Sequence, residues 1–181
     1  MKTYPVVDKD DNRQYTIKGK DNLHAIKNIY HRSSHIFIEV FGGKLLLQKK
    51  AASTENGGLW SSAVSGHVEL DDTYVEKGSY RKAAVREAKE ELGLSIDPKE
   101  LDRILKLSPV DNKDTAGEFV TLFYYLMDPN RESIVINRDE LDGIVIMPLK
   151  EVENEIKINR SKYSPVFALL FDLFMSLKGG F

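Results

Sequence analysis

The sequence predicts an α/β fold in which a mixed β-sheet is sandwiched between helices. Three observations predict it. Strand-like apolar runs lie on both sides of a helical stretch at 79–92, and a second helical stretch closes the chain at about 164–178. The composition, 41% hydrophobic and 30% charged over 181 residues, is that of an ordinary globule. At this length the expectation is one domain over 1–181, with an N-terminal extension over 1–30.

Residues 3–8 (TYPVVD) and 14–18 (QYTIK) bracket the polar turn DKDDNR and read as a hairpin. A short helix or turn is expected within 21–30. The apolar run 35–41, the Gly42-Gly43 turn and the run 44–50 form a second hairpin. Residues 51–58 are a polar loop, and 59–64 form a short strand in which Trp60 reads as an anchor. Residues 101–107 are extended, 111–117 are a polar loop, and 118–126 (EFVTLFYYL) are the strongest strand, β-branched and aromatic nearly throughout. A short edge is expected at 134–136, a strand at 143–147 and a helix start at 148–152. Ser164-Pro165 then opens the last helix with a cap and a proline at its first position. That helix is mostly apolar. Asp172 interrupts it and it is too short for a bilayer, which needs about 20 residues. It therefore reads as a buried packing helix or a homodimer contact, with no membrane role.

Composition narrows the function classes. A net charge of -2 argues against binding a nucleic acid polymer. No cysteine is present, which removes disulfides, thiolate metal sites and cysteine nucleophiles. MKTYPVVDKDDNRQYTIKGK turns polar where a secretory signal would be apolar, so a cytoplasmic location is the default expectation.

The helix at 79–92 carries the chemistry. Ser79 is its expected cap, Ala83, Ala84, Val85 and Ala88 suit close packing, and Gly93 ends it. Glu87, Glu90 and Glu91 stand at i, i+3 and i+4 and crowd one face. Like charges so placed oppose folding unless they share a cation, and an all-oxygen cluster suits Mg²⁺ or Mn²⁺ better than zinc. As a bare fragment, the same three residues also fit a solvated surface.

The run Arg86-Glu87-Ala88-Lys89-Glu90-Glu91-Leu92-Gly93-Leu94 resembles the second half of the Nudix box, REUxEExGU with U aliphatic, at every fixed position. The first half departs from it. Counting back from Arg86 puts Gly78 where a glutamate belongs, and eleven residues separate it from Gly66 where the box has five. A six-residue insertion within 68–77 accounts for this, with Asp72 or Glu76 as possible replacements for the acid. The resemblance covers about 30–150.

The resemblance implies the Nudix fold and a metal-dependent hydrolase that cleaves a diphosphate linkage in a nucleoside di- or triphosphate derivative. It implies Glu87, Glu90, Glu91 and the Gly66 carbonyl as metal ligands, with Arg86 orienting a glutamate. Glu118, at the start of the strongest strand, is the candidate extra ligand or general base; Asp114 and Glu140 are weaker candidates. Lys49, Lys50 and Arg32 are cations that phosphates could meet.

The chain also resembles the isopentenyl-diphosphate isomerase-like branch. Ser65-Gly66-His67 stands where those enzymes have Cys-Gly-His or Cys-Ser-His, and His31 resembles a metal-binding histidine. A nitrogen-containing site from His31, His67 and Glu118 follows from that likeness, while His67 also reads as structural or substrate-facing. Two rivals to hydrolysis are therefore carried: prenyl diphosphate isomerisation, and a non-catalytic nucleotide-binding protein. A structural or interaction protein, a reading that rests on the apolar C-terminal helix, is the third.

Overall fold

The computed structural model describes residues 1–26, 28–74, 79–112, 115 and 117–178. Its spine is β3 (His31–Val40), which runs parallel to β8 (Glu118–Met127) with all ten residues in register, His31 opposite Glu118. Around this pair a seven-stranded mixed sheet is ordered β5-β4-β3-β8-β7. It adds β4 (Lys44–Lys50), β5 (Trp60–Ser62), β6 (Val64–His67), β7 (Asp102–Leu107) and β9 (Leu141–Pro148). β6 pairs with β3, and β9 with β4. An N-terminal hairpin, β1 (Thr3–Val7) and β2 (Arg13–Lys18), stands apart as a two-stranded sheet and is followed by α1 (Lys20–Ala25).

Alternation along β3 assigns the layers, because successive side chains point to opposite faces. Ile36, Ile38 and Val40 join Phe119 and Phe123 in a core beneath α2 (Ser79–Leu92), where Ala83, Ala84 and Ala88 are wholly buried. Phe37 points the other way, with Val120 and Leu122, into the aromatic core beneath α4 (Pro165–Lys178). The methyl side chains of α2 let the helix lie close to the sheet. Gly93 ends it at φ 67°, a left-handed conformation that favours glycine. Ser164 caps α4: its Oγ accepts from Phe167 N at 3.3 Å. Phe167, Phe171 and Phe174 are buried, so that helix packs on the sheet. Among the described residues no helix is long and apolar enough to cross a membrane.

Several expectations shift. β3 begins four residues earlier than its apolar run, because His31, Arg32, Ser33 and Ser34 are strand residues buried in a polar interior. The strand expected at 59–64 breaks at Ala63 into β5, which pairs with β4, and β6, which pairs with β3. Residues 134–136 form no strand. Val135 N and Asn137 N instead donate to Leu92 O and Glu91 O, both at 2.9 Å, satisfying the end of α2. The helix begun at 148–152 extends as α3 (Leu149–Asn159). Trp60 is half-buried against the aromatic core, as an anchor.

The sheet also makes the cleft. β3 and β4 pair only where 38–40 face 44–46; beyond that they splay. β6 follows β3 and β5 follows β4 into the opening.

Candidate metal-binding cleft

A cavity of about 640 Å³ fills that opening, and the side chains singled out in the sequence converge on it. Glu87 and Glu91 enter from α2, Gly66 and His67 from β6, and Glu118 from β8; Glu55, Glu69 and Glu140 complete the acidic lining. Gly66 leaves room for Glu87. A Cβ there would stand 2.2 Å from the Glu87 carboxyl, so a larger residue would push this side chain off β6.

Two overlapping groups of carboxylates, Glu69/Glu87/Glu90 and Glu87/Glu91/Glu140, each place one ligand atom per residue within 4.8 Å of the others. Burial raises the Glu87 pKa from 4.5 to about 7, with Arg86 opposing the shift and Glu91 adding to it. Burial, and then Glu91, also raise Glu140. Ammonium groups sit among these acids. Lys50 Nζ lies 2.5 Å from Glu91 Oε1, and Lys2 Nζ lies 2.7 Å from Glu69 and 2.9 Å from Glu90. Glu91 is oriented further by the backbone N–H of Ser65 at 3.0 Å and by Gln48 Nε2 at 3.3 Å. An all-oxygen donor set that needs positive charge among its members fits a hard divalent ion.

Arg86 organises the group and does not line the cavity. Its guanidinium donates to Asp72 Oδ2 at 3.0 Å, the His67 carbonyl at 2.8 Å and Glu87 Oε1 at 2.8 Å, and lies 2.9 Å from Glu69 and 3.1 Å from Glu90. It thereby clamps the 67–72 segment onto α2, as a fork-shaped donor can. Glu90 is the most open of the three helix glutamates, 36% exposed in its side chain and shared between Lys2 and Arg86.

Asp72 is one of four acids that meet this arginine, and it stands six positions after Gly66, the spacing of a glycine, five residues and an acid. Counting forward from Gly66 thus puts the box acid at Asp72, with the extra residues falling after it. Counting back from Arg86 had pointed to Gly78. Glu76 and Gly78 lie outside the described residues, as does Asp114.

Glu118 stands apart from the helix acids. Its Oε1 is 3.2 Å from His67 Nε2 and 3.4 Å from His31 Nε2, and these three form a further group with ligand atoms within 4.8 Å. The imidazole rings of His31 and His67 lie 5.0 Å apart, and Tyr4 of the hairpin packs edge-on against His67. Burial lowers the His67 pKa, which keeps the ring neutral. Burial also opposes ionisation of Glu118, but the two histidines outweigh it and hold the carboxyl well below 4.5. A carboxylate beside two imidazoles is a metal-ligand set of mixed N and O character, suited to a softer ion than Mg²⁺.

Among the other expected cations, Lys50 lines the cleft. Lys49 is not among the lining residues, and Arg32 is turned away: its Nε and a terminal NH₂ donate to Asp11 in the hairpin turn, both at 2.6 Å. Glu69 was not visible in the sequence as a member of the site. Its only signal is its position in the short segment between Gly66 and Asp72, which the clamp on Arg86 folds inward.

A helix-borne acid cluster facing a split mixed sheet is a group of side chains able to hold a metal ion. Residues 29–170 match the NUDIX domain, and the chain belongs to that family. It is 30% identical over 137 residues to isopentenyl-diphosphate Delta-isomerase 2 of Photorhabdus laumondii, a match covering 75% of this chain and 71% of that protein. It is 28% identical to an uncharacterized Nudix hydrolase of Clostridium acetobutylicum, over 75% of this chain and 65% of that one. A crystal structure of a Deinococcus radiodurans protein superposes with a TM-score of 0.74 at 18% identity, covering 94% of this chain and 97% of the other.

Proposed function

We propose that the protein is a metal-dependent hydrolase of diphosphate linkages, acting on a nucleoside di- or triphosphate derivative. The observation that carries this reading is the pair of carboxylate groups that α2 forms with Glu69 and Glu140, at a cleft lined by Lys2, Lys20 and Lys50. Glu87, Glu91 and Glu140, with Glu69 and Glu90 beside them, are the proposed metal ligands. The Gly66 carbonyl is offered as a further ligand, and Mg²⁺ or Mn²⁺ as the ion. A divalent ion so held neutralises phosphate charge and lowers the pKa of bound water.

The chain's own residues do the rest. Lys20 and Lys50 supply positive charge on the cleft wall, where a diphosphate needs it. Arg86 holds the 67–72 segment so that Glu69 and Glu87 face the cavity, which makes it a positioning residue. Glu118 is a poor proton acceptor near neutrality because its histidine partners keep it ionised, so a ligand role fits it better than a general-base role.

The test is a panel of nucleoside triphosphates, dinucleotides, nucleotide sugars and isopentenyl diphosphate, with Mg²⁺ and Mn²⁺ separately. Metal-dependent phosphate or nucleotide release that Glu91→Gln abolishes supports the reading. Tight binding without cleavage in the wild type would make the chain a non-catalytic member.

A second reading is favoured by one specific feature, the His31/His67/Glu118 group, together with the similarity to an isopentenyl-diphosphate Delta-isomerase. Alkene isomerisation moves protons at carbon, and the hydroxyl of Ser65 stands where the resemblance expects a thiol. We therefore expect no allylic product from isopentenyl diphosphate, and its appearance would replace the hydrolase reading.

A further inference from the structure

The N-terminal hairpin makes a third side of the cleft. Lys2 and Tyr4 at its start, and Lys20 just past its second strand, line the cavity. Lys2 bridges Glu69 and Glu90, and Tyr4 packs edge-on against His67. A two-stranded sheet is marginal by itself in water, so its placement depends on what it docks against. Its own core is small: Tyr4, Val6 and Leu23, with Ile17 and Ile29 beside them. The backbone of Val7 donates to Tyr30 O at 2.9 Å, next to the start of β3. The turn is the other anchor. Asp8 Oδ1 accepts from the backbone N–H groups of Asp10 and Asn12, both at 2.9 Å. Asp11, between them, takes a left-handed conformation at φ 65°, which aspartate tolerates better than most residues. Its carboxylate, 11% exposed, meets three elements of the body at once. Arg32 of β3 reaches Oδ1 at 2.6 Å, Tyr80 of α2 donates its hydroxyl to Oδ2 at 2.8 Å, and Lys106 of β7 pairs with the same oxygen. The Arg32 guanidinium and the Lys106 ammonium also lie over the Tyr80 ring, 5.7 and 4.9 Å from its centre. Asp11 itself is not among the residues that line the cavity.

We propose that Asp11 is a positioning residue for the cleft: as the latch of the hairpin, it sets how firmly Lys2 holds the acid group and whether Tyr4 and Lys20 stand at the cavity. The proposal rests on the hydrolase reading above for what the cleft binds. Arg32 is buried, so its charge has to be paired, and the carboxylate that pairs it is carried by the hairpin. Lifting the turn strands that guanidinium, which keeps the hairpin down. β1 and β2 are paired from 3–7 to 13–18, so they move as a unit. The five residues of β1 span about 17 Å, and a tilt at the turn becomes a displacement at Lys2. A loosened hairpin withdraws the Lys2 ammonium from Glu69 and Glu90 and leaves those carboxylates to a cation. It also takes Lys20 from the cleft, which weakens the grip on a diphosphate. Cation and phosphate affinities therefore change in opposite directions, whereas simple loss of folded protein weakens both.

The experiment measures Mn²⁺ binding, and ADP binding at saturating Ca²⁺, by calorimetry on the full chain. Asp11→Asn is expected to tighten Mn²⁺ and to weaken ADP, each by about fivefold, the scale of a partly exposed ion pair. Amide exchange at 3–7 should accelerate while that at 119–125 stays unchanged. In a Lys2→Met background, Asp11→Asn is expected to leave Mn²⁺ affinity where Lys2→Met alone puts it, because it acts through Lys2. The double variant Tyr80→Phe, Lys106→Met spares the buried Arg32–Asp11 pair and should shift both affinities the same way by less, which keeps the test decisive if Asp11→Asn does not fold. Weaker binding of both ligands in step with a lowered melting temperature, additive effects of Asp11→Asn and Lys2→Met on Mn²⁺, or unchanged exchange at 3–7 overturns the proposal. A wild type that binds Mn²⁺ but no diphosphate sinks the hydrolase reading, and the latch then stands or falls on Mn²⁺ affinity and exchange alone.

Discussion

The two walls of the cleft reach the same cavity with different charge chemistry. The α2 wall brings acids together and balances them with Lys2, Lys50 and Arg86; one of its members, Glu87, is pushed up to about 7 by burial. The sheet wall, from β3, β6 and β8, brings a single carboxylate, Glu118, beside two imidazoles, and that carboxylate stays ionised. The first wall gathers more carboxylates than cations, an excess that a divalent cation would offset. The second gathers one carboxylate with two ring nitrogens, so it has less negative charge to offset.

The largest expected separation between the walls is catalytic. Glu91→Gln should lower metal-dependent hydrolysis roughly 1,000-fold, the scale on which charge stabilisation at a reacting phosphate operates. His67→Asn should cost far less, and equal losses in steady-state assays would erase the distinction.

Stability against pH is the next contrast, measured by thermal unfolding in chelator. The Glu87 carboxyl moves from 4.5 to about 7 on folding, so the unfolded chain loses that proton first and stability falls as pH rises through this window. His35 moves from 6.5 to about 4, so the unfolded chain gains its proton first and stability falls as pH drops from 6.5. Each effect is worth about 3 kcal/mol and the two oppose one another. Glu87→Gln should therefore leave a protein that gains stability between pH 4.5 and 6.5, and His35→Asn one that loses it. Parallel slopes in the two variants would contradict the assignment.

Gly66→Ala should follow, costing about 2 kcal/mol by overpacking and displacing Glu87 from the cleft, read as lowered melting temperature and weaker Mn²⁺ binding. The smallest effect belongs to Lys2→Met. Removing an ammonium group from Glu69 and Glu90 should tighten Mn²⁺ binding severalfold in a calorimetric titration, with hydrolysis of bound substrate little changed. Weaker binding would mean that Lys2 supports the acid cluster instead of competing for it.

The sequence reading reached the α2 wall because helical spacing alone puts Glu87, Glu90 and Glu91 near one another and Gly93 marks the helix end. It reached Glu118, His31 and His67 through resemblance, and the ten-residue parallel register of β3 with β8 explains why residues 87 positions apart meet. It did not reach Glu69 or the role of Asp72, because both depend on a turn folded around Arg86, and no local period marks such a turn. Spacing was ambiguous there for a physical reason: extra residues between two fixed contacts can sit on either side of the acid, and only the clamp decides. The split of 59–64 was equally hidden, since one apolar run served two strands whose partners had already diverged. Ser33 and Ser34 read as a polar interruption before an apolar strand. In the fold they are strand residues, and Ser33 became the floor of a cavity.

The register of β3 with β8 has one more consequence. His31 and Glu118 are the first pair of the ten-residue β3–β8 ladder, whereas Glu69 and Asp72 sit on a short segment held mainly by side chains, the Arg86 guanidinium and the Lys2 ammonium. Amide hydrogen exchange should divide the cleft accordingly, with 32–38 and 119–125 opening only on global unfolding and 68–72 opening by local fluctuation. One wall is a fixed reference frame and the other is a hinged plate, so an ion that bridges the acids of the hinged plate should slow exchange there first.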